Sequence, residues 1–338
     1  MTNNSLPLVA VVTPVFNGAE FLAETMETVQ AQTYPNLVHV LLDNASADAT
    51  PQIIESFRNR RVPLITKRHQ ATVPMARNWN DAVGMVPAAA RYFRLLCADD
   101  LLRPDAIARY VEVAERDPDI GLVGSLWRAT GLCGEELPPG HEVFEGRDVL
   151  QTFLRREHSA LAGTHALVRR TASESARPFY DEVVPSFDTE ANLRICQYAK
   201  YGFVREELGT WRMHANSTTN RFAKHSFLHE MCWMTLLDRY GPDALGYRQY
   251  LAHRKAYRRH LLRRILKSYL ADRDIETFRT CMRRLREAGD EPGTLDFADA
   301  LANWAYLAGT LRRHTVGRPS RREAFKYHSY KSKTAIGF

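Results

Sequence analysis

Little cysteine is present, and none of it is arranged to build anything. The 338 residues hold five cysteines, Cys97, Cys133, Cys196, Cys232 and Cys281, an odd number with no C-x-x-C pair. That spacing excludes a disulfide framework and a cysteine zinc site, and it suits a reducing compartment. Long apolar runs are missing too: no window approaches the roughly 18 residues of a membrane-spanning helix. Residues 1–16 are apolar in part but carry no positive n-region and no small-residue cleavage site. The expectation is therefore a chain without a signal peptide, working in the cytoplasm. G-x-x-x-x-G-K-[ST], G-x-G-x-x-G and G-x-S-x-G do not occur. Their absence removes the main support for P-loop, dinucleotide-binding and serine esterase chemistry. There is no internal repeat and no low-complexity tract.

What is present has an ordinary globular composition, 45% hydrophobic and 25% charged, with ample apolar material for a core. The length suggests about two domains. The formal net charge is +7, from 46 Lys plus Arg against 39 Asp plus Glu, and it is unevenly spread. Residues 1–224 hold 24 basic and 27 acidic side chains, whereas 225–338 hold 22 and 12. We divide the chain accordingly into a domain over 1–224, a basic helical domain over 225–316, and a basic tail over 317–338 expected to be loosely ordered.

Leu8-Val9-Ala10-Val11-Val12 is a β-branched apolar run that ends in Thr13-Pro14, the pattern of a buried strand and a loop. Phe21, Leu22, Met26 and Val29 then recur near helical spacing over 19–32. A strand over 38–42 stops at Asp43, and Pro51 sits where a first helical turn tolerates proline. Strands over 62–67 and 91–96 flank a helix over 75–83, and residues 110–115 begin the pattern again. Alternation of this kind implies an α/β fold, a mostly parallel sheet with helices on both faces. The segment 131–146, with Pro138-Pro139-Gly140, reads as a loop or insertion. Beyond 225 the spacing turns helical, over 251–270, 275–285 and 294–311, with Thr294 as a cap.

In such sheets ligands bind beyond the carboxyl ends of the strands. Three strand ends offer polar groups to one rim: Thr13-Pro14-Val15-Phe16-Asn17, Asp43-Asn44-Ala45-Ser46 and Ala98-Asp99-Asp100. Adjacent carboxylates are hard oxygen ligands suited to Mg²⁺ or Mn²⁺. Paired aspartates also start helices, and Pro104 with a helix from Asp105 follows closely.

Four segments in order decide between these readings. They are 11–17 (V-V-T-P-V-F-N), 41–50 (L-L-D-N-A-S-A-D-A-T), 75–78 (M-A-R-N) and 95–104 (L-L-C-A-D-D-L-L-R-P). Together they resemble glycosyltransferase family 2, over about residues 8–220. The resemblance implies a GT-A fold, a nucleotide-sugar donor and a divalent metal, Mn²⁺ or Mg²⁺. It places Thr13, Pro14, Phe16, Asp43 and Arg77 at the nucleotide. The family's D-x-D motif corresponds to Cys97-Ala98-Asp99, so Asp99, with Asp100 beside it, stands at the metal and the donor diphosphate, and Cys97 replaces the first carboxylate. Residues 186–195 resemble the family's E-D-x-D segment and the helix after it. Aligning Arg194 with that helix's arginine places the general base at Asp188, with Phe187 where a glutamate usually stands and Glu190 as the alternative base. The structural alternative for Asp188 is an N-cap of the helix over 189–198. Trp211-Arg212-Met213-His214 resembles the closing R-x-H segment, which implies a diphosphate contact for Arg212 and a metal contact for His214, although a lone histidine is ordinarily structural. The Q-x-x-R-W signature of processive synthases is absent.

The implied activity is inverting transfer of a single sugar, taken to come from a UDP-sugar, to a hydroxyl of a surface glycan or lipid-linked intermediate. In the basic third, Arg254, Lys255, Arg258, Arg259, Arg263, Arg264 and Lys267 accompany Leu261, Leu262, Ile265, Leu266, Tyr269 and Leu270 on one amphipathic helix. Such a helix either lies on an anionic bilayer, giving peripheral attachment at the inner face of the membrane, or packs its apolar side on the protein and solvates its charges. No nucleic-acid partner is expected, since no recognisable motif accompanies the charge; oligomerisation through the C-terminal helices is open. Two rival readings are a non-catalytic GT-A-like module with a basic binding platform, and nucleotidyl transfer.

Overall fold

The computed structural model of the chain describes residues 6–128, 132–133, 137–173, 178–212, 214, 217 and 227–314. Contacts divide it into two compact units, Met1–Met213 and His214–Phe338.

The first unit opens with β1 (Leu8–Val15), α1 (Leu22–Gln30), β2 (Leu37–Asp43), α2 (Thr50–Ser56), β3 (Leu64–Arg68), α3 (Met75–Val83) and β4 (Ala90–Leu95), the alternation the apolar runs imply. It continues with β5 (Leu101–Leu102), α4 (Ala106–Ala114), β6 (Ile120–Arg128), β7 (Leu132–Cys133), β8 (Val143–Phe144), α5 (Gly146–Leu154), β9 (Ala166–Arg169), α6 (Arg170–Ser173), α7 (Phe187–Cys196) and β10 (Lys200–Thr210). Residues 110–114 thus close helix α4, whose Ile107, Tyr110, Val111 and Ala114 are buried at helical spacing.

One sheet runs in the order β3-β2-β1-β4-β9-β6-β10-β5. β1 pairs in parallel with β2 and β4, and β2 with β3. β9 lies antiparallel between β4 and β6, and β10 runs parallel to β6. The expected parallel sheet is therefore its first half, and the second half is mixed, because Ala166–Arg169 enters reversed and is too short to show a period in sequence. Every residue of β2 is buried, as are the last seven of β1, so these strands are covered on both faces and read as unbroken apolar runs. Val15, Leu22, Met26, Leu41, Ile54 and Phe57 form one core cluster. Gly209 permits a close crossing in β10: a Cβ there would lie 2.5 Å from the Trp127 indole.

The second unit consists of α8 (Leu228–Leu245), α9 (Tyr247–Asp272), α10 (Ile275–Glu287) and α11 (Thr294–His314). Asp274 caps α10 by accepting from the Thr277 N–H at 3.0 Å. Leu261, Leu262 and Ile265 of the amphipathic helix are buried in a core with Met234, Tyr257, Cys281 and Leu285. Its basic row meets acids of neighbouring segments: Arg254 with Asp238, Arg258 with Asp290 and Asp296, Arg259 with Asp299, Arg264 with Glu230. Packing is thus the structural role of this helix. Among the described residues no helix is long and apolar enough to cross a membrane. The tail over 317–338 lies outside the described residues.

Candidate active site

Because β1, β2 and β4 are parallel neighbours, their carboxyl ends reach one rim. The loops there are laced together. Asn17 N–H donates to Ser46 Oγ at 2.8 Å, Ala47 N–H to Asn17 Oδ1 at 2.9 Å, Gly18 N–H to Thr50 Oγ1 at 2.9 Å and Ala19 N–H to Asp48 Oδ2 at 3.0 Å. This lattice holds Asn17 and Ala45 at φ of 49° and 59°, a left-handed conformation that side chains other than glycine adopt only under such constraint.

Thr13 is fully buried, and its Oγ1 lies 2.9 Å from His39 Nε2. Burial pushes the His39 imidazole down to about 4, and its Nδ1 has no hydrogen-bond partner, so protonation would strand an N–H in the core. Pro14 is buried beside Thr13, and Phe16 is 52% exposed at the rim. Asp43 ends β2 almost wholly buried; Oδ1 accepts from the Ser46 N–H at 2.9 Å, while Oδ2 makes no hydrogen bond and faces Arg68 Nε at 3.5 Å. A buried carboxylate oxygen with spare capacity is suited to a donor group of a ligand.

After β4, ligand atoms of Cys97, Asp99 and Asp100 all lie within 4.8 Å of one another. Burial and the Asp99 carboxylate push the Asp100 carboxyl up to about 8, against the Arg212 backbone N–H that donates to it at 3.1 Å. Two hard oxygens crowded in this way fit a divalent cation, which would relieve their repulsion. Cys97 Sγ sits 3.8 Å from Thr164 Oγ1, and burial with Asp100, Asp99 and Asp188 drives its thiol well up. Behind the pair, Arg94 is fully buried, with its guanidinium 4.8 Å from the Trp127 ring and Nη1 donating to the Leu95 and Thr164 carbonyls.

Asp188 stands in the first turn of α7, half-buried, with Oδ1 accepting from the Thr189 N–H at 2.7 Å. The cap position is Ser186. Asp188 is near enough to raise the Cys97 thiol and the Tyr180 phenol, so the expected base and the acidic pair share one field. Glu190 is buried with a 3.3 Å contact to Arg194. Phe187 packs edge-on against Trp79 and Tyr180, at centroid distances of 5.0 and 5.4 Å.

The arginines expected at the donor are engaged elsewhere. Arg77 is exposed on α3 and pairs with Asp81 at 3.1 Å. Arg212 reaches Asp100 only through its backbone; its guanidinium pairs with Glu24 at 2.5 Å and lies 4.7 Å from the Phe21 ring. His214, the expected metal contact, opens the second unit. Sequence reasoning missed His39 and Arg94, although a polar residue between apolar neighbours in a strand was a usable signal for each.

Residues 10–176 match the family model Glycosyl transferase family 2. The chain carries a glycosyltransferase family 2 domain. Its relatives include the glycosyltransferase GlyG of Streptococcus pneumoniae, 28% identical over 123 residues, a match covering 36% of this chain and 39% of GlyG. The chain thus spans well under half the length of that relative. The fold of the family 2 domain is GT-A. S. aureus TarS 1-349 in complex with UDP-GlcNAc superposes with a TM-score of 0.58 at 13% identity, covering 82% of this chain and 79% of TarS. The mannosyltransferase PcManGT from Pyrobaculum calidifontis, in complex with GDP-Man and Mn²⁺, gives 0.56 at 18% identity, covering 90% and 81%.

Proposed function

We propose that the chain is an inverting, metal-dependent glycosyltransferase. It moves one sugar from a nucleotide-diphosphate donor, a UDP-sugar, to a hydroxyl of a surface glycan or lipid-linked intermediate. The observation that carries this is the acidic pair Asp99 and Asp100 after β4 in a family 2 domain, with Asp188 of α7 near enough to act on the same Cys97 thiol. Asp99 and Asp100 would hold Mn²⁺ or Mg²⁺, and a bound cation would neutralise charge on the departing diphosphate. Asp43 Oδ2, buried and without a hydrogen bond, accepts an N–H of the nucleobase beside Thr13 and Phe16. Arg77 and Arg212 turn from their solvent-accessible acidic partners to the donor phosphates, an exchange that costs little because such surface pairs contribute about 1 kcal/mol or less.

Asp188 takes the proton of the acceptor hydroxyl as its oxygen bonds to the anomeric carbon. The bond from that carbon to the diphosphate oxygen breaks on the opposite face, so the configuration inverts. Asp188 suits this role better than Glu190, whose carboxylate is buried against Arg194. Phe187, in place of the family's glutamate, works in packing. The test is nucleoside diphosphate release from a panel of UDP- and GDP-sugars, with and without Mn²⁺. Cation-dependent release is expected from a UDP-sugar; neither release nor donor binding under any condition would sink the proposal.

A further inference from the structure

The segment that leads into α7, whose first turn carries Asp188, is fastened to α3 by a side chain outside every site assigned above. Asn80 Nδ2 donates to the Tyr180 carbonyl at 2.9 Å, and Asn80 Oδ1 accepts the Tyr180 N–H at 2.7 Å. One amide thus satisfies both backbone groups of one residue, as a neighbouring strand would. Nδ2 also reaches Glu182 Oε1 at 3.2 Å. Beside it, Trp79 packs edge-on against Tyr180 at 5.5 Å and against Phe187 at 5.0 Å, and Phe187 precedes Asp188 in the chain. The same device recurs before α3 begins: Asn44 Nδ2 donates to the Val73 carbonyl and Asn44 Oδ1 accepts the Val73 N–H, both at 2.9 Å. Asn44 follows Asp43. Helix α3 is therefore pinned on one side to the residue next to the nucleobase acceptor and on the other to the segment that presents the base.

We propose that α3 is a strut that fixes Asp188 relative to the donor, and that Asn80 is the positioning residue through which it acts on the base. The inference rests on the glycosyl-transfer reading for its catalytic consequence, but not for the clamp itself. Its demand is geometric: Asp188 must stay within hydrogen-bond reach of the acceptor oxygen while that oxygen is in line with the anomeric carbon. A misplacement of the order of 1 Å costs on the order of 100-fold in rate. A loosened clamp therefore lowers kcat and leaves the donor side untouched, since Thr13 and Asp43 lie in β1 and β2 and Asp99 follows β4, none of them on the segment that Asn80 holds.

The experiment uses the full chain as wild type, Asn80→Ala, Asn80→Asp, Asp188→Asn and the double variant Asn80→Ala/Asp188→Asn. The substrate is whichever UDP- or GDP-sugar of the panel the wild type turns over, and UDP with Mn²⁺ is the calorimetric probe of donor binding. Asn80→Ala is expected to lower kcat about 10- to 100-fold with donor KM and UDP affinity within about 3-fold. Asn80→Asp, which keeps the acceptor for the Tyr180 N–H and loses the donor, falls between. The double variant is no slower than Asp188→Asn alone, because Asn80 acts through Asp188. Amide exchange at Tyr180 in Asn80→Ala quickens about 5- to 10-fold, the worth of one hydrogen bond, with protection of the Asp43 strand end unchanged. Equal slowing of the Asp188→Asn background, joint loss of kcat and UDP affinity, or unchanged kcat overturns the proposal. A wild type silent toward every donor defeats the glycosyl-transfer reading, and unchanged exchange at Tyr180 then overturns the clamp on its own.

Discussion

Mild acid should destabilise the first unit through a histidine that carries no catalytic duty. His39 lies fully buried in β2 with its imidazole pushed down to about 4 from an ordinary value of 6.5. Between these values the unfolded chain binds a proton that the folded chain does not, so stability rises with pH across the window and is lost as pH falls. Each pH unit inside the window is worth about 1.4 kcal/mol per such group. From pH 6.5 to pH 5, His39 alone should cost about 2 kcal/mol, a large part of the 5–15 kcal/mol that usually holds a domain together. His158 and His165, pushed down by burial to about 4 and about 3, act in the same sense. Asp100, raised to about 8, acts in the opposite sense without a bound cation. It is common to wild type and variant and cancels in their difference. The assay is urea unfolding at pH 7, 6.5, 6, 5.5 and 5 for wild type and His39→Gln, which retains an amide for Thr13 and cannot titrate. The wild type should lose about 2 kcal/mol more than the variant between pH 6.5 and 5. Parallel stability curves, or a His39 ring that titrates near 6.5 by NMR, would refute the argument.

Other expectations follow from charge and burial. Asp188→Asn should lower transfer about 100- to 10,000-fold with donor binding by calorimetry nearly unchanged; equal loss of binding would mark a structural residue instead. Arg258→Ala strands the Asp290 carboxylate, only 6% exposed and paired to Nε at 2.8 Å, and should cost about 3 kcal/mol or more in urea unfolding. Arg279→Ala, whose side chain is 69% exposed, should cost less than about 1 kcal/mol in the same assay. Glu24→Gln frees the Arg212 guanidinium from a partner 67% exposed and should tighten donor binding by less than about 5-fold; weaker binding would mean that Glu24 positions Arg212 for the phosphates.

Much of this arrangement was legible because β1 and β2, at the centre of the parallel half of the sheet, are covered on both faces. Burial there turns β1 and β2 into nearly continuous apolar runs whose ends stand out as polar loops, and those ends, with the end of β4, are the rim. What stayed hidden depends on side chains that act at a distance in sequence. Asn80 and Tyr180 are a hundred residues apart, and nothing local in either foretells that one amide will serve the other's backbone. Arg94 looked like an ordinary strand residue, although a guanidinium in the run Tyr92-Phe93-Arg94-Leu95 must find carbonyls or aromatic faces in the core, and it finds both. Helix α8 escaped notice because it carries Gly241 and Pro242 within its last turns, residues that argue for a break when read alone.

The charge surplus of the C-terminal third is the point at which structure most changes the argument from sequence. Counted along α9, the arginines look like a continuous cationic face. Four of the seven cations, however, meet carboxylates from elsewhere in the helical unit, and Arg258 meets two of them, at 2.8 and 2.6 Å. A cation already neutralised at hydrogen-bond distance adds little to attraction across a Debye length of roughly 8 Å. Binding to an anionic bilayer would have to come from the other cations, at about 1 kcal/mol each near the surface. Such binding should collapse with modest salt, whereas the paired arginines, partly buried and bonded in place, would continue to hold the helices together. Vesicles with a large fraction of anionic lipid separate the two roles: Lys255→Ala and Lys267→Ala should change binding without changing unfolding, and Arg258→Ala should do the reverse. A variant that moved both together would show that packing and surface charge on this helix are one function.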